Sequence, residues 1–115
     1  MHSKSPEVRL RDIAENISAI REFTAGMDAA SLAADRKTLY AVVRALEIIS
    51  EATRRLPVDL KARHRSIDWT AVAAAGNVYR HEYEGVDEIL IWNTVEHELP
   101  KLEAVVVAEL GGGQT

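Results

Sequence analysis

The sequence contains no cysteine, and this absence excludes three kinds of chemistry. Disulfide bonds, thiolate catalysis and cysteine-ligated zinc sites all require that residue. The sequence also lacks any run of roughly 18 apolar residues, the length that a membrane-spanning helix needs. No apolar stretch of the signal-peptide kind follows Met1. We therefore expect a cytoplasmic protein.

An excess of positive charge is also missing, because the formal net charge is −4. This balance argues against strong non-specific binding to nucleic acid, although it is compatible with a local basic pocket. A phosphate-cradling glycine-rich loop, an HExxH zinc motif and a serine nucleophile elbow are absent as well. The sequence thus does not favour a nucleotide-binding loop, a zinc protease or a serine hydrolase.

The sequence does have apolar residues that repeat every three or four positions, which is typical of amphipathic helices. Ser5 and Pro6 predict the start of a first long helix and Gly26 its end, while Asp35 caps a second that Pro57 terminates. The predicted buried face of the first helix is Leu10, Ile13, Ile17, Ile20 and Phe23. That of the second is Leu39, Val42, Val43, Leu46, Ile49 and Leu56.

Two further long helices are predicted in the second half of the chain. Asp68 caps a shorter, alanine-rich helix that runs to about His81 and contains Gly76, at a cost of roughly 1 kcal/mol relative to Ala. Asp87 caps a last long helix, in which Pro100 predicts a kink or a break.

Together these patterns predict an all-α fold, an antiparallel bundle of four or five helices. We expect a single domain over residues 1–110 and a flexible tail over residues 111–115. Short helical segments are expected between the long helices. The broad apolar faces favour pairing with a second copy of the chain.

The side chains best suited to catalysis lie at the end of the third long helix. Asn77 and His81 are four residues apart, so a helix places them on one face, with Arg80 adjacent and Tyr83 in the exit turn. Histidine can act as a general acid or base, and arginine can bind phosphate and offset its developing charge. These groups could support metal-free cleavage of an RNA backbone by its own 2′-hydroxyl. Alternatively, Arg80 and His81 complement the negative end of the helix dipole, and spacing alone favours this second interpretation.

Arg44, Glu47 and Glu51 lie along one face of the second long helix. Two interpretations stay open: an exposed stripe of ion pairs, or supporting groups for a site. In the second, Arg44 is partly buried among apolar neighbours, and Glu51 positions an arginine or histidine.

The other histidines give weaker evidence of a functional role. His64 lies in a basic segment from Lys61 to Arg65, which we interpret as a solvated patch with a phosphate-contacting role as the alternative. His97 lies between Glu96 and Glu98, but adjacent helical residues point in different directions, so we predict a solvated face and no metal site.

Two parts of the sequence resemble a known family. Residues 36–52 are similar to the second long helix of HepT-like proteins, a subgroup of the HEPN domain superfamily. Residues 67–70 and 76–87 resemble the signature segment of that family. The similarity extends from about Leu10 to Leu110, with both motifs in the expected order and spacing.

The resemblance implies a dimerising helical bundle that acts as the toxin of a bacterial toxin–antitoxin pair. It implies a metal-independent ribonuclease without cofactor, in which His81 is the general acid or base, Arg80 binds phosphate and Asn77 positions the substrate. The implied antitoxin is a minimal nucleotidyltransferase that can add AMP to the tyrosine two residues after the histidine, here Tyr83.

One residue departs from the pattern of the family. In its motif, four to six residues separate an arginine from the histidine. Here the corresponding positions before His81 are Ala74, Ala75 and Gly76, and Arg80 is the nearest arginine. Two alternatives therefore accompany the ribonuclease hypothesis. The first is a catalytically inactive module that binds a nucleotidyltransferase, and the second is a structural dimerisation domain.

Overall fold

The computed structural model describes residues 5–80 and 88–111, with only the backbone described for residues 75–80. In chain order the helices are α1 (Pro6–Thr24), α2 (Ala29–Ala34), α3 (Arg36–Arg54), α4 (Val58–Ala62), α5 (Trp69–Arg80), α6 (Glu88–Asn93) and α7 (Leu99–Gly111). A π-helical turn, Thr94–Glu98, joins α6 to α7 without interruption. None of the described residues forms a strand. The predicted all-α bundle is confirmed: α1, α3, α5 and the continuous α6–α7 are long, while α2 and α4 are short.

The helix starts follow from their capping residues. The Ser5 hydroxyl accepts a hydrogen bond from the Val8 N–H at 3.3 Å. The Asp35 carboxylate accepts one from Thr38 N–H at 3.1 Å, and that of Asp68 accepts one from Ala71 N–H at 3.0 Å. Each cap satisfies an N–H that has no partner inside its own helix. The three predicted starts are therefore confirmed, whereas the predicted cap Asp87 lies outside the described residues.

The core lies between α1, α3 and the α6–α7 helix, with α5 packed on the outer side of α3. Ile13, Ile17, Ile20, Val42 and Ile91 are completely buried in it. Burial of each such side chain contributes about 1.5–3 kcal/mol, so α1 and α3 form the rigid support for the other elements. The predicted faces of both helices are confirmed in most positions.

Phe23 was predicted to be buried, and this prediction is wrong. Its side chain is 42% exposed, and the buried stripe of α1 continues from Ile20 to Thr24 instead. Thr24 can occupy a buried position because its hydroxyl donates a hydrogen bond to the Ile20 carbonyl at 2.8 Å. The stripe thus follows helix geometry, and Phe23 lies beside it.

The helix does not break at Pro100, and the kink that was the other expectation stays a prediction. The residues before it form the π-helical turn, in which the Leu99 N–H donates to the Thr94 carbonyl, five residues back. A proline cannot donate to the carbonyl four residues before it, and its ring clashes with that carbonyl. The wider turn is one way to relieve that clash. At its other end α7 includes Gly111, so the tail predicted from residue 111 does not include that residue.

Within the described ranges, no helix combines the length and apolarity required to cross a lipid bilayer.

Candidate functional site

Helix α5 carries the part of the predicted site that the structure describes. Its backbone is helical through Arg80, so Gly76, Asn77 and Arg80 all lie in its last turns, as predicted. Side chains from residue 75 onwards are not described until Glu88, and His81 and Tyr83 lie outside the described residues. The positions of Asn77 and Arg80 are therefore known at the level of the backbone.

Helix α5 is held in place by polar contacts to its carbonyl groups. The buried Ser50 hydroxyl donates to the Val72 carbonyl at 2.9 Å, and Arg54 Nη1 donates to the Ala73 carbonyl at 2.8 Å. Both donors come from the last turns of α3. Because these contacts lie just before Asn77, they set the position of the helix end that presents the candidate residues.

The start of α5 is anchored by Trp69. Its indole N–H points at two carbonyl groups, those of Lys61 and His64, each at 3.0 Å. The half-buried ring also packs against the core. This residue therefore joins α4 and the following loop to the helix that carries the site.

The predicted partial burial of Arg44 is wrong. Its side chain is 71% exposed and pairs with Glu47, Nη1 to Oε1, at 3.3 Å. Position 44 lies two residues from both Val42 and Leu46, and two residues turn a helix by about 200°, so Arg44 is on the far side from the core. Arg44 belongs to the exposed stripe of ion pairs, the other interpretation that the sequence allowed.

Glu51 lies between two arginines of its own helix. Its carboxylate bonds to Arg54, and Arg55 Nε donates to its Oε2 at 2.9 Å. These hydrogen bonds, first that of Arg54 and then that of Arg55, hold the pKa of Glu51 below its ordinary value, so the carboxylate stays ionised. Since Arg54 also contacts the Ala73 carbonyl, Glu51 holds an arginine against α5, and its role as a supporting group for a site stays a prediction.

His64 is not the solvated residue that the basic segment predicted. Its Nε2 lies 2.6 Å from Glu109 Oε2, and Arg63 Nη2 donates to Glu109 Oε1 at 2.9 Å. The bonds from Arg63 and then His64 lower the pKa of Glu109. This cluster ties the end of α4 to α7. No local spacing could reveal it, because Glu109 lies 45 residues along the chain from His64.

Two grooves flank α5. The first has a volume of 470 Å³, and we call it the basic groove. It is lined by Arg54, Lys61, Trp69, Thr70, Ala73 and Ala74. The second has a volume of 400 Å³ and lies between α3, α5 and the α6–α7 helix, and we call it the apolar groove. The apolar groove is lined mainly by aliphatic side chains, including Leu46, Leu90 and Leu99.

Metal-ligating side chains do not cluster in the described part of the chain, where no group of three such residues has the required proximity. Glu96, His97 and Glu98 are all exposed on the π-helical turn, as predicted for a solvated face.

A protein-family model described as "Ribonuclease HepT-like" matches residues 13–108 of the chain. This range includes α3, all of α5 and the segment from Gly76 to Tyr83. No solved structure matches the chain.

Curated relatives also match most of the chain. A protein of Thermococcus cleftensis named "Probable ribonuclease HepT" is 43% identical over 94 residues, which are 82% of this chain and 86% of that protein. "Putative RNase MJ1380" of Methanocaldococcus jannaschii is 33% identical over 106 residues, covering 92% of this chain and 97% of that protein. "Putative RNase TTE0752" of Caldanaerobacter subterraneus is 33% identical over 103 residues, covering 90% and 92%.

Proposed function

The chain belongs to the ribonuclease HepT-like family, and we propose that it is a metal-independent endoribonuclease that acts as the toxin of a toxin–antitoxin pair. The observation that carries this proposal is the family match over residues 13–108, which includes the helix bearing Asn77 and Arg80 and the following His81. The activity is assigned to the cytoplasm, where RNA is available.

The proposed reaction uses the RNA itself as nucleophile. The ribose 2′-hydroxyl attacks the adjacent phosphorus, the bond to the 5′-oxygen of the next nucleotide breaks, and a 2′,3′-cyclic phosphate forms. His81 takes the proton of the 2′-hydroxyl or gives one to the leaving 5′-oxygen, depending on its protonation state. Arg80 binds the phosphate and offsets the charge that builds on its oxygens, while Asn77 positions the substrate.

Arg80 is a reasonable replacement for the arginine that the family motif has near Gly76. The two backbone positions lie four residues apart in the continuous helix α5. That separation is one turn, about 6 Å along the axis, on nearly the same side of the helix. A long arginine side chain can span such a distance, and Gly76 has no side chain to stand in its way.

We assign Tyr83 as the regulatory site. A minimal nucleotidyltransferase antitoxin would transfer AMP from ATP to the Tyr83 hydroxyl, with release of pyrophosphate. The adduct would place a phosphate two residues from His81, where its negative charge repels an RNA phosphate. Neutralisation would then require no unfolding of the toxin.

A second copy of this chain is the occupant we propose for the apolar groove. Helix α6 exposes two large aliphatic side chains here. Leu90, which lines the groove, is 41% exposed, and Ile89, its neighbour in the chain, is 70% exposed. A groove and a neighbouring apolar projection allow a two-fold pairing, in which each copy inserts into the other. Such a dimer would bring two copies of α5 near one interface.

Cleavage of RNA in the presence of a chelator tests the proposed function. Wild-type protein is expected to cut total tRNA and to arrest bacterial growth, whereas His81→Ala and Arg80→Ala are expected to lose at least about 100-fold in rate. Arg11→Ala is a matched control, since Arg11 is exposed on α1 and, among the described residues, pairs with Glu7 alone. If wild type and both site variants are folded and equally harmless, catalysis at this site is excluded.

Gly76 favours a second candidate function, a catalytically inactive module that binds a nucleotidyltransferase. In this case the protein would bind its partner with unchanged affinity after Arg80→Ala and His81→Ala. The same variants therefore distinguish both candidates, with RNA cleavage as one readout and partner binding as the other.

A further inference from the structure

The basic groove is adjacent to α5, the proposed catalytic helix. Packing of the core does not explain why positively charged side chains line this groove. Arg54 and Lys61 form one side of it, while Thr70 and Ala73 of α5 form another. Its volume, 470 Å³, is in the range of ligand-binding clefts. The indole of Trp69 lines the groove close to these cations.

The charge of this groove is positive although the chain as a whole is acidic. No acidic side chain lines it among the described residues. Glu51 neutralises one of the two arginines that it contacts, Arg54 and Arg55, so the trio keeps one positive charge. Lys61 adds another, since it makes no ion pair within the described part of the chain.

Helix α5, which borders the groove, continues from Ala74 toward the proposed site. Asn77 and Arg80 follow Ala73 by four and seven residues in the same helix. These intervals correspond to rotations of about 40° and 20° from the direction of Ala73, with an advance of about 6 and 10 Å. The backbone positions of Asn77 and Arg80 thus lie on the side of α5 that borders the groove.

We propose that the basic groove binds the phosphodiester backbone of single-stranded RNA next to the bond that is cleaved. This inference rests on the proposed ribonuclease function and adds a substrate-binding surface to it. Lys61 supplies a mobile cation for one phosphate, and Arg54, held by Glu51, supplies a fixed one. The groove recognises the backbone and not the bases, because lysine and arginine contacts to phosphate carry little sequence information.

Binding of an uncleavable RNA tests the proposal without relying on catalysis. The probe is a fluorescently labelled single-stranded RNA with 2′-O-methyl groups, which lack the nucleophile, and affinity is measured by anisotropy at several salt concentrations. Lys61→Gln is expected to weaken binding and to lower the slope of log Kd against log salt by about 0.7, the value for one lost phosphate contact on a single strand.

Lys37→Gln is the matched control. Lys37 is an exposed lysine in the first turn of α3, about 25 Å along that helix from Arg54. The Lys37→Gln substitution removes the same charge from the whole molecule as Lys61→Gln does. Equal salt slopes for the two variants would therefore overturn the proposal. Failure of the wild type to bind the probe would also overturn it.

A parallel cleavage assay separates this inference from the proposed function. With a long single-stranded RNA as substrate, Lys61→Gln is expected to raise KM several-fold, whereas Lys37→Gln is expected to keep the wild-type KM. Wild-type protein that binds the uncleavable RNA through Lys61 but cuts no substrate would disprove the ribonuclease function alone. Wild-type protein that cuts RNA with no contribution from Lys61 would disprove the groove alone.

Discussion

Single polar side chains on α3 determine where α5 lies. Ser50 is 2% exposed, yet its hydroxyl has a partner in the Val72 carbonyl of α5. A buried hydroxyl without a partner would be costly, so this pairing selects one placement of α5 over others. The position of α5 in turn sets the position of the candidate residues at its end.

Ser50→Ala is expected to destabilise the protein by about 1 kcal/mol, because a buried hydrogen bond between α3 and α5 is lost. Urea unfolding followed by circular dichroism measures the change. Ser66→Ala, at an exposed position, is the control and should stay within about 0.5 kcal/mol of wild type. Equal stability of the two variants would show that the bond contributes nothing.

Gly26 is the one described residue with positive φ, +78°, and it lies just after α1. An added Cβ would meet no atom within 4 Å, so any cost of substitution comes from the backbone conformation alone. Gly26→Ala is expected to cost about 1 kcal/mol, and Gly26→Asn less, since asparagine adopts this conformation more readily. Thermal unfolding of both variants tests the order, and an alanine variant as stable as wild type would contradict it.

Contacts between elements far apart in sequence complete the bundle. Arg63 and His64 follow α4, and both bond to Glu109 near the end of α7. The cluster closes the bundle on the side where α4 is too short to have a stable conformation of its own. The stability of the bundle should therefore depend on the ionisation of Glu109.

The lowered pKa of Glu109 predicts how this cluster responds to pH. A carboxyl group with a lower pKa in the folded state contributes its full stability above the ordinary glutamate pKa, and this contribution is lost as pH falls through the folded-state pKa. Glu109→Gln is expected to cost about 1–2 kcal/mol at pH 7.

Unfolding curves between about pH 3 and 7 measure this effect. The difference between wild type and Glu109→Gln should shrink as the pH is lowered below about 4.5, near the ordinary glutamate value. Glu15→Gln, an exposed position on α1, serves as the control. A difference that is constant over the whole range would rule out the ionised cluster as its source.

The whole molecule, with extents of 43 × 28 × 27 Å, places two surfaces of opposite character on either side of α5. The basic groove borders α4 and the apolar groove borders α6. We assign RNA to the first and a second copy of the chain to the second. Substrate and partner subunit then do not compete for the same surface.

The dimer is tested by the mass in solution, measured by size-exclusion chromatography with light scattering. Wild type is expected to have twice the mass of one chain, and Leu90→Glu to be a monomer, because a charge would be buried in the apolar groove. Val107→Glu is the control, since Val107 is 61% exposed and does not line the groove. A monomeric wild type, or dissociation by both variants, would contradict this interface.

The sequence alone determined the fold class, most of the helix limits and the core of α1 and α3. These features depend on local physics: Ser5, Asp35 and Asp68 cap helices because their side chains bond to backbone groups three residues away. The apolar residues of α1 repeat with the period of the helix itself. Only Phe23 deviated, by one position from the buried stripe.

Tertiary structure decided the roles of the charged residues. Whether His64 is solvated and what Glu51 positions depend on which helix lies opposite, whereas the exposure of Arg44 follows from the geometry of its own helix. The His64–Glu109 contact joins residues 45 positions apart, and the basic groove joins side chains from α3, α4 and α5. Such contacts arise from the packing of separate helices, so no periodicity within a single segment encodes them.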